Sequence, residues 1–486
     1  MGSDMDINVP ITVCLIGYAL LMLAVSLYWM TKIKKATDLL MGGRKLPFWA
    51  LTGTFTATGV GTGVAVGAVG LAYSSGWAGC AYPIGLGVGV ILVGLFFSKL
   101  RRYRLMTLSE EIACYYGGHR ILYEFSNLCL FISQPLWLTV QIMGGGAVLS
   151  VVLGLDINTC MVIAGVLIAI TSIPGGLLTV VYTDVVQALI LIVGFASLTF
   201  VALSQSDGLG GLQARVPPEN FSLLGHEAIG WWGVVSVMLA TVIAGVADPG
   251  RRLMMYGARS EKGARWSMYT AGVVEIIFSV AVGIVGMYAF SRNPDITEPD
   301  QVLPLLVQES LPLWLAALVL VSVTAAVFSS GDSNAAAAGT YFVRHIFPLI
   351  TGRYPKNPLR TVRWALAVTF VISTGLALVA GNIVDFVVAF LSVTMSGLAI
   401  VIVLGRFWKR ATWQGGVAAL ATASVVSLIV IFVPSQKEFW VKPIIPATLG
   451  GLIAEIVVSL LTPPNNRSFE EIVEVMAKQR QQLDDE

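Results

Sequence analysis

Apolar residues run along this chain in long, nearly charge-free blocks separated by short polar connections. A helix needs about 20 such residues to cross a bilayer core of about 30 Å. By that measure the chain holds about thirteen spans, at roughly 8–30, 47–74, 77–98, 121–153, 158–173, 177–203, 230–255, 266–290, 311–340, 364–380, 383–404, 412–433 and 441–461. The blocks are too long and too evenly apolar for the alternating ten-residue strands of a membrane β-barrel. The pattern predicts an all-α polytopic membrane protein.

One block differs in texture. The stretch 47–77, PFWALTGTFTATGVGTGVAVGAVGLAYSSGW, is almost uncharged yet carries Gly53, Gly59, Gly61, Gly63, Gly67 and Gly70. Glycine loses the most backbone freedom on ordering and weakens a helix. At membrane depth, loosened backbone is tolerated only where it lines a cavity or is buried in protein. Either small residues serve close helix packing here, or the helix opens in its middle, where freed carbonyls hold a cation and freed N–H groups an anion.

Composition sharpens the class. The 486 residues are 56% hydrophobic and 12% charged, against about 25% charged in soluble domains. Five scattered cysteines (Cys14, Cys80, Cys114, Cys129, Cys160) with no CxxC indicate neither a disulfide framework nor a zinc site. The acidic start is unlike a signal peptide, so the first block is expected to be retained. The net charge of +2 gives no reason to expect a nucleic-acid partner; the expected surroundings are the lipid bilayer. Charge matters through its placement. With the N-terminus outside, all of the 30 Lys and Arg except Arg215, Arg292, Lys437 and Lys442 fall on one face, which the positive-inside rule makes cytoplasmic. An N-out, C-in chain and an odd span count follow. TLSEEIACYYGG (107–118) is expected as a short amphipathic helix at the cytoplasmic face, and SFEEIVEVMAKQRQQL in the tail as one surface helix. His119, His226 and His345 lie in connections. No nucleotide loop, HExxH or GxSxG stands in a usable context, so no enzyme is expected.

Ionisable groups at membrane depth face a bundle interior or water. Asp184, Glu275, Asp332, Asp248 and Asp385 qualify. Asp332 sits in TAAVFSSGDSNAAAAG among Thr324, Ser329, Ser330 and Ser333. Such hydroxyls can bond back to their own helix, but together with carbonyls they also suit a hard monovalent cation, which prefers oxygen ligands. Asp248 opens ADPGRR, where Pro249 and Gly250 are read as ending a span at the cytoplasm and Arg251 and Arg252 as its structural ion partners. Asp385 suits a helix start. Glu275 has no evident partner.

The chain resembles the sodium/solute symporter family. GGRKLPFW, ATGVGTGVAVGAVGLAYSSGW, GGLLTVVYTDVVQ, RRLMMYGARSEKGARW and AAVFSSGDSNAAAAGTYFVRHIF match motifs of its core helices, together covering about residues 10–410. The resemblance implies a five-plus-five inverted repeat of the leucine-transporter type. That divides the chain into an extra N-terminal helix and loop (1–46), a first repeat (47–203), an outer loop (204–229), a second repeat (230–404), two C-terminal helices (405–462) and a cytoplasmic tail (463–486). It implies a Na⁺ site at Ala57, Val60, Ala326, Ser329 and Ser330. A further Na⁺ would draw on Asp184, Ser329 and Ser333, with Asp332 nearby. The solute pocket maps to Thr58, Gly59, Gly61, Thr62, Gln134, Trp137, Gln141 and Thr241, with no evident Arg or Lys. Sugar-carrying members have Asn and His where this chain has Gly59 and Val64, which argues against a sugar.

The expected function is Na⁺-coupled symport of a small organic solute, such as an amino acid, a monocarboxylate or a related metabolite, by alternating access. The alternatives are a sodium-independent uniporter or channel of the same fold, and a membrane sensor that transports nothing. Against the sensor, no signalling domain follows residue 463.

Overall fold

The computed structural model describes residues 9–31, 42–173, 177–224 and 229–484. The main helices are α1 (Val9–Met30), α2 (Phe48–Gly59), α3 (Val69–Ser75), α4 (Ala81–Phe96), α5 (Leu108–Tyr115), α6 (Arg120–Leu153), α7 (Ile157–Ser172), α8 (Leu177–Gln205), α9 (Gly230–Ala247), α10 (Pro249–Gly257), α11 (Glu261–Arg292), α12 (Leu313–Tyr341), α13 (Pro358–Ala377), α14 (Ile383–Thr394), α15 (Ser396–Phe407), α16 (Trp413–Phe432), α17 (Ile444–Leu461) and α18 (Phe469–Asp484). Among the described residues the one β interaction is a bridge between Leu46 and Ala258.

Every apolar block read from the sequence carries helix. Among the described residues ten helices are long and apolar enough to span by themselves, and the pair α14–α15, bent by 49°, makes an eleventh. Thirteen is not reached by length and apolarity alone, for two physical reasons. The block at 47–75 is broken, its second half running on into α4, and α7 has only 16 residues.

The break positions everything else. α2 ends at Gly59, Val60 adopts φ −90° and ψ 39°, and helix resumes as a π-helical turn, Gly63–Ala68, leading into α3. Two long helices pack against this broken segment. α12 packs on α2, α6 and α8, and α11 packs on α2, α3 and α4. α4 reaches its neighbours through small residues. A Cβ at Gly89 would lie 2.5 Å from Val242 O in α9, and one at Gly87 would lie 2.5 Å from Gly272 O in α11. Such backbone approach is what glycine permits between membrane helices. The start of α2 is pinned beside the end of α10 by Leu46 N–H to Gly257 O (3.2 Å) and Arg259 N–H to Leu46 O (2.9 Å).

α5 is the short helix expected within 107–118, but its burial was not expected. It is not a surface helix: Leu108 to Cys114 are all buried. Its acids explain why this is tolerated, since each is paired. Glu111 accepts from Arg252 Nη1 at 2.9 and 3.2 Å and from Tyr256 OH, and Glu110 accepts from Arg344 Nε at 3.3 Å.

Candidate functional site

At the break the backbone loses its ladder. Val60 N–H still reaches Thr56 O at 2.9 Å, and the ladder restarts with Val64 and Ala65 N–H on Gly61 O, at 3.0 and 2.8 Å. Ala57 and Val60 lie between, fully buried.

α12 presents its polar face here. Ala326, Ser329, Ser330 and Ser333 are spaced i, i+3, i+4, i+7 and share one side of the helix. Ser330 Oγ donates to Thr58 O at 3.2 Å, and Thr58 Oγ1 lies 3.0 Å from Ser333 Oγ. Ser329 Oγ is fully buried with no hydrogen-bond partner. The contact leaves no spare room, since a Cβ on Gly61 would overlap Ser330 Oγ.

Asp184, on α8, enters the same place from behind. It is fully buried, accepts from Thr54 Oγ1 and faces Ser329 and Ser333. Its Oδ1 has no partner. Asp332 points elsewhere, accepting from Ser172 Oγ on α7. It adds charge near Asp184 but does not share its hydroxyls. Among the described residues no three His, Cys, Asp or Glu side chains cluster. The oxygens gathered here are hydroxyls, the Thr58 carbonyl and one carboxylate, a donor set that fits a hard monovalent cation.

Beside the break is a cavity of about 30 Å³, room for a water or two. Thr58, Gly59, Gly61, Trp137 and Gln141 line it, as do Tyr82, Ser330 and Asn334. Gln141 Oε1 accepts from Thr62 N–H at 3.4 Å, so α6 holds the far lip of the break. Trp137 packs edge-on to Phe390, ring centroids 5.0 Å apart, with its Nε1 unpartnered. Three expected pocket residues lie outside this lining: Thr62, whose N–H is the one held by Gln141, and Gln134 and Thr241. Gln134 Nε2 donates to Leu130 O (3.1 Å) and Ser133 Oγ (2.8 Å). Thr241 Oγ1 is spent on Val237 O and Met238 O of its own helix, both at 3.1 Å.

Sequence reasoning missed three contributors. Thr54 precedes Thr58 by one turn, and that i, i+4 pair of hydroxyls was the available signal. Asn334 directly follows Ser333 on α12. Arg251 is the larger omission, because it lines the cavity and so corrects the expectation of a wall without cations. Asp248 does not mark a span end at the cytoplasm. It caps α10, accepting from Gly250 N–H (2.7 Å) and Arg251 N–H (3.2 Å), with Pro249 at the first helical position. Glu275 has a partner after all: its Oε1 lies 3.3 Å from Arg251 Nη2. Gly59 is where α2 passes this pair, and a Cβ there would overlap the Glu275 carboxylate.

Comparison with known proteins now bears on this geometry. A model described as the sodium:solute symporter family matches residues 39–217 and 232–423. The chain belongs to the sodium:solute symporter family. The family is one of transporters, and the chain's many apolar helices make it a multi-pass membrane protein. It is 25% identical to the sodium/pantothenate symporter of Escherichia coli over 468 residues, 91% of this chain and 95% of that protein. It is 26% identical to a high-affinity choline transporter of Caenorhabditis elegans over 368 residues, 71% of this chain but 63% of that protein. Among solved structures, a Na⁺-coupled sialic acid symporter in a substrate-bound outward-open state superposes with a TM-score of 0.78 at 19% identity, covering 94% of this chain and 98% of that one. At that identity the likeness speaks for the fold, and the fold is that of the leucine-transporter-type carriers.

Proposed function

We propose that this member of the family is a Na⁺-coupled symporter that moves a small organic solute across the membrane by alternating access. The observation that carries the reading is the break in the first core helix, docked onto hydroxyls of α12 with Ser329 Oγ buried and unpartnered. A buried hydroxyl without a partner costs about 1–3 kcal/mol, and a cation held there relieves it. In this reading Ala57, Val60, Ala326, Ser329 and Ser330 hold the coupling ion. Asp184, Thr54 and Ser333 hold a second, with Asp332 adding negative potential from outside the shell. The ion bridges the broken helix to α12 and so stabilises the arrangement in which the adjoining pocket exists. Solute binding must then raise Na⁺ affinity by the same factor.

The solute is read as an amino acid, monocarboxylate or related metabolite, bound by Thr58, Gly59, Gly61, Thr62, Trp137 and Gln141. The two repeats at 47–203 and 230–404 would rock against each other around it, in a chain whose N-terminus is outside and whose C-terminus is cytoplasmic. The charge asymmetry of the connections supports that orientation.

The test is a Ser329→Ala/Ser330→Ala double variant in proteoliposomes. The half-saturating Na⁺ concentration is expected to rise at least about tenfold, the loss of about 1.4 kcal/mol. Uptake still driven by sodium with unchanged affinity would overturn the site.

A further inference from the structure

Arg251, Glu275 and Asp248 form a charged cluster beside the break, with Arg251 3% exposed, Glu275 fully buried and Asp248 at the less buried edge. A buried ion pair is tolerable when its remaining hydrogen-bonding positions are satisfied. This one falls short. Arg251 Nε and Nη1 have no hydrogen-bond partner, and neither does either oxygen of Glu275. Trp137 Nε1 is a further unpartnered donor on the cavity wall. Asp248 is committed to capping α10 and stands 3.6 Å from Arg251 Nε, so it positions the guanidinium rather than satisfying it.

We propose that Arg251, on the cavity wall with Glu275 paired behind it, is the specificity-determining group of the solute pocket, and that the solute is a small carboxylate bearing an N–H or O–H donor a few bonds away, an amino acid or hydroxy acid. The inference rests on the symport reading and narrows its substrate. A carboxylate matches the planar fork of a guanidinium in two parallel hydrogen bonds. Asp248 on the same wall and Glu275 behind the guanidinium repel a plain anion, so the solute needs its own donor on the side of those acids. A quaternary ammonium ion such as choline meets the like charge of Arg251 and has no carboxylate for the guanidinium. A polyol brings donors but no charge for the guanidinium. Gly59 is part of the recognition, since a side chain there would occupy the place of the Glu275 carboxylate. With a cavity of about 30 Å³ the solute is small and the walls move to admit it.

The experiment is Na⁺-dependent counterflow by the full chain in proteoliposomes. Small amino acids and hydroxy acids are each paired with their methyl ester, alongside unsubstituted monocarboxylates, choline and myo-inositol. The free acids carrying a donor are expected to exchange at least about tenfold better than their esters, since a charge-assisted hydrogen bond is about twice as strong as a neutral one. Arg251→Gln is expected to abolish the preference for acid over ester, and Arg251→Lys to restore it in part. Glu275→Gln is expected to narrow the advantage over plain monocarboxylates. Sodium-dependent exchange in which choline, inositol or the esters lead, or an acid preference untouched in Arg251→Gln, overturns this proposal and leaves the symport reading standing. Absence of sodium-dependent exchange with any solute overturns both. If Arg251→Gln does not fold, the acid–ester comparison on the unaltered chain decides.

Discussion

Gly61 has no room for a methyl group. Its Cβ would displace Ser330 Oγ, which sits between the loosened backbone and α12. Gly61→Ala is therefore expected to weaken Na⁺ binding at least about tenfold, read as lost sodium protection against thermal unfolding. Gly210→Ala is the control. It lies in the short helix Gly208–Gln213 with nothing within 4 Å of its Cβ, and is expected to be neutral or to stabilise by roughly 0.4–1 kcal/mol through the unfolded chain. Asp184→Asn separates one sodium from two. If the carboxylate holds a second ion, the sigmoid dependence of uptake on Na⁺ becomes hyperbolic while the requirement for sodium remains; an unchanged curve removes Asp184 from the ion site. At this scale legibility was uneven. Ser329, Ser330 and Ser333 were readable because their spacing alone puts them on one face. Arg251 was not, because Asp-Pro-Gly-Arg-Arg reads as the basic end of a span. The same letters are also a helix start, with Asp as cap and Pro at the first position. Only tertiary packing tells the two apart, and α10 is buried at every residue.

Between elements, the two faces of the bundle are closed by different chemistry. On the side read as cytoplasmic, α5 is held by Glu111 on Arg252 and Glu110 on Arg344, all four side chains essentially buried. Removing one partner of such a pair costs about 3–5 kcal/mol because the other charge is stranded. Glu111→Gln is expected to lower the melting temperature by several degrees and to expose the buried Cys114 of α5 to thiol reagents. Unchanged labelling would mean that α5 does not depend on the pair. On the side read as outer, Asp300 Oδ2 accepts from Ile383 N–H at 2.9 Å at the start of α14, and its neighbour Pro299 lies against Gly70 of α3. Burial lifts the Asp300 carboxyl from 3.8 to about 6; the Ile383 N–H opposes the rise, while Glu298 and Asp385 add to it. Its folded value is raised, so its contribution is full below the unfolded value near 3.9 and is lost as pH climbs through about 6. Melting temperature is expected to fall between about pH 4 and pH 7. Asp300→Asn, which keeps an acceptor for Ile383, should flatten that slope; an identical slope would assign it to other groups. The existence of these helices was legible from apolar blocks. The burial of α5 was not, since two adjacent glutamates look solvated until their arginines, more than 100 residues away, are placed.

For the molecule as a whole, the leucine-transporter-type fold was legible because several core-helix motifs agreed across most of the chain. The count of spans was less so, because a broken helix and a 16-residue one each fall short as a single crossing. In the symport reading, that same broken helix holds the ion whose gradient drives transport. Each positive charge carried inward gains about 2.3 kcal/mol per 100 mV, and a tenfold Na⁺ gradient adds about 1.4 kcal/mol. One Na⁺ with a zwitterionic solute therefore supports about 500-fold accumulation at 100 mV, and two Na⁺ about the square of that. A hydroxy acid brings one negative charge, which cancels the electrical gain of one ion. With one Na⁺ its accumulation falls to about tenfold and no longer depends on voltage. Proteoliposomes with an imposed potassium diffusion potential and a fixed sodium gradient distinguish these cases. If the ion site at the break works alone, a zwitterion's accumulation rises about tenfold for each additional 60 mV or so, inside negative, and a hydroxy acid's does not change. If Asp184 holds a second ion, both respond, the zwitterion twice as steeply. Accumulation of neither solute responding to voltage or to sodium would mean that the oxygens gathered around Ser329 carry no ion across the membrane.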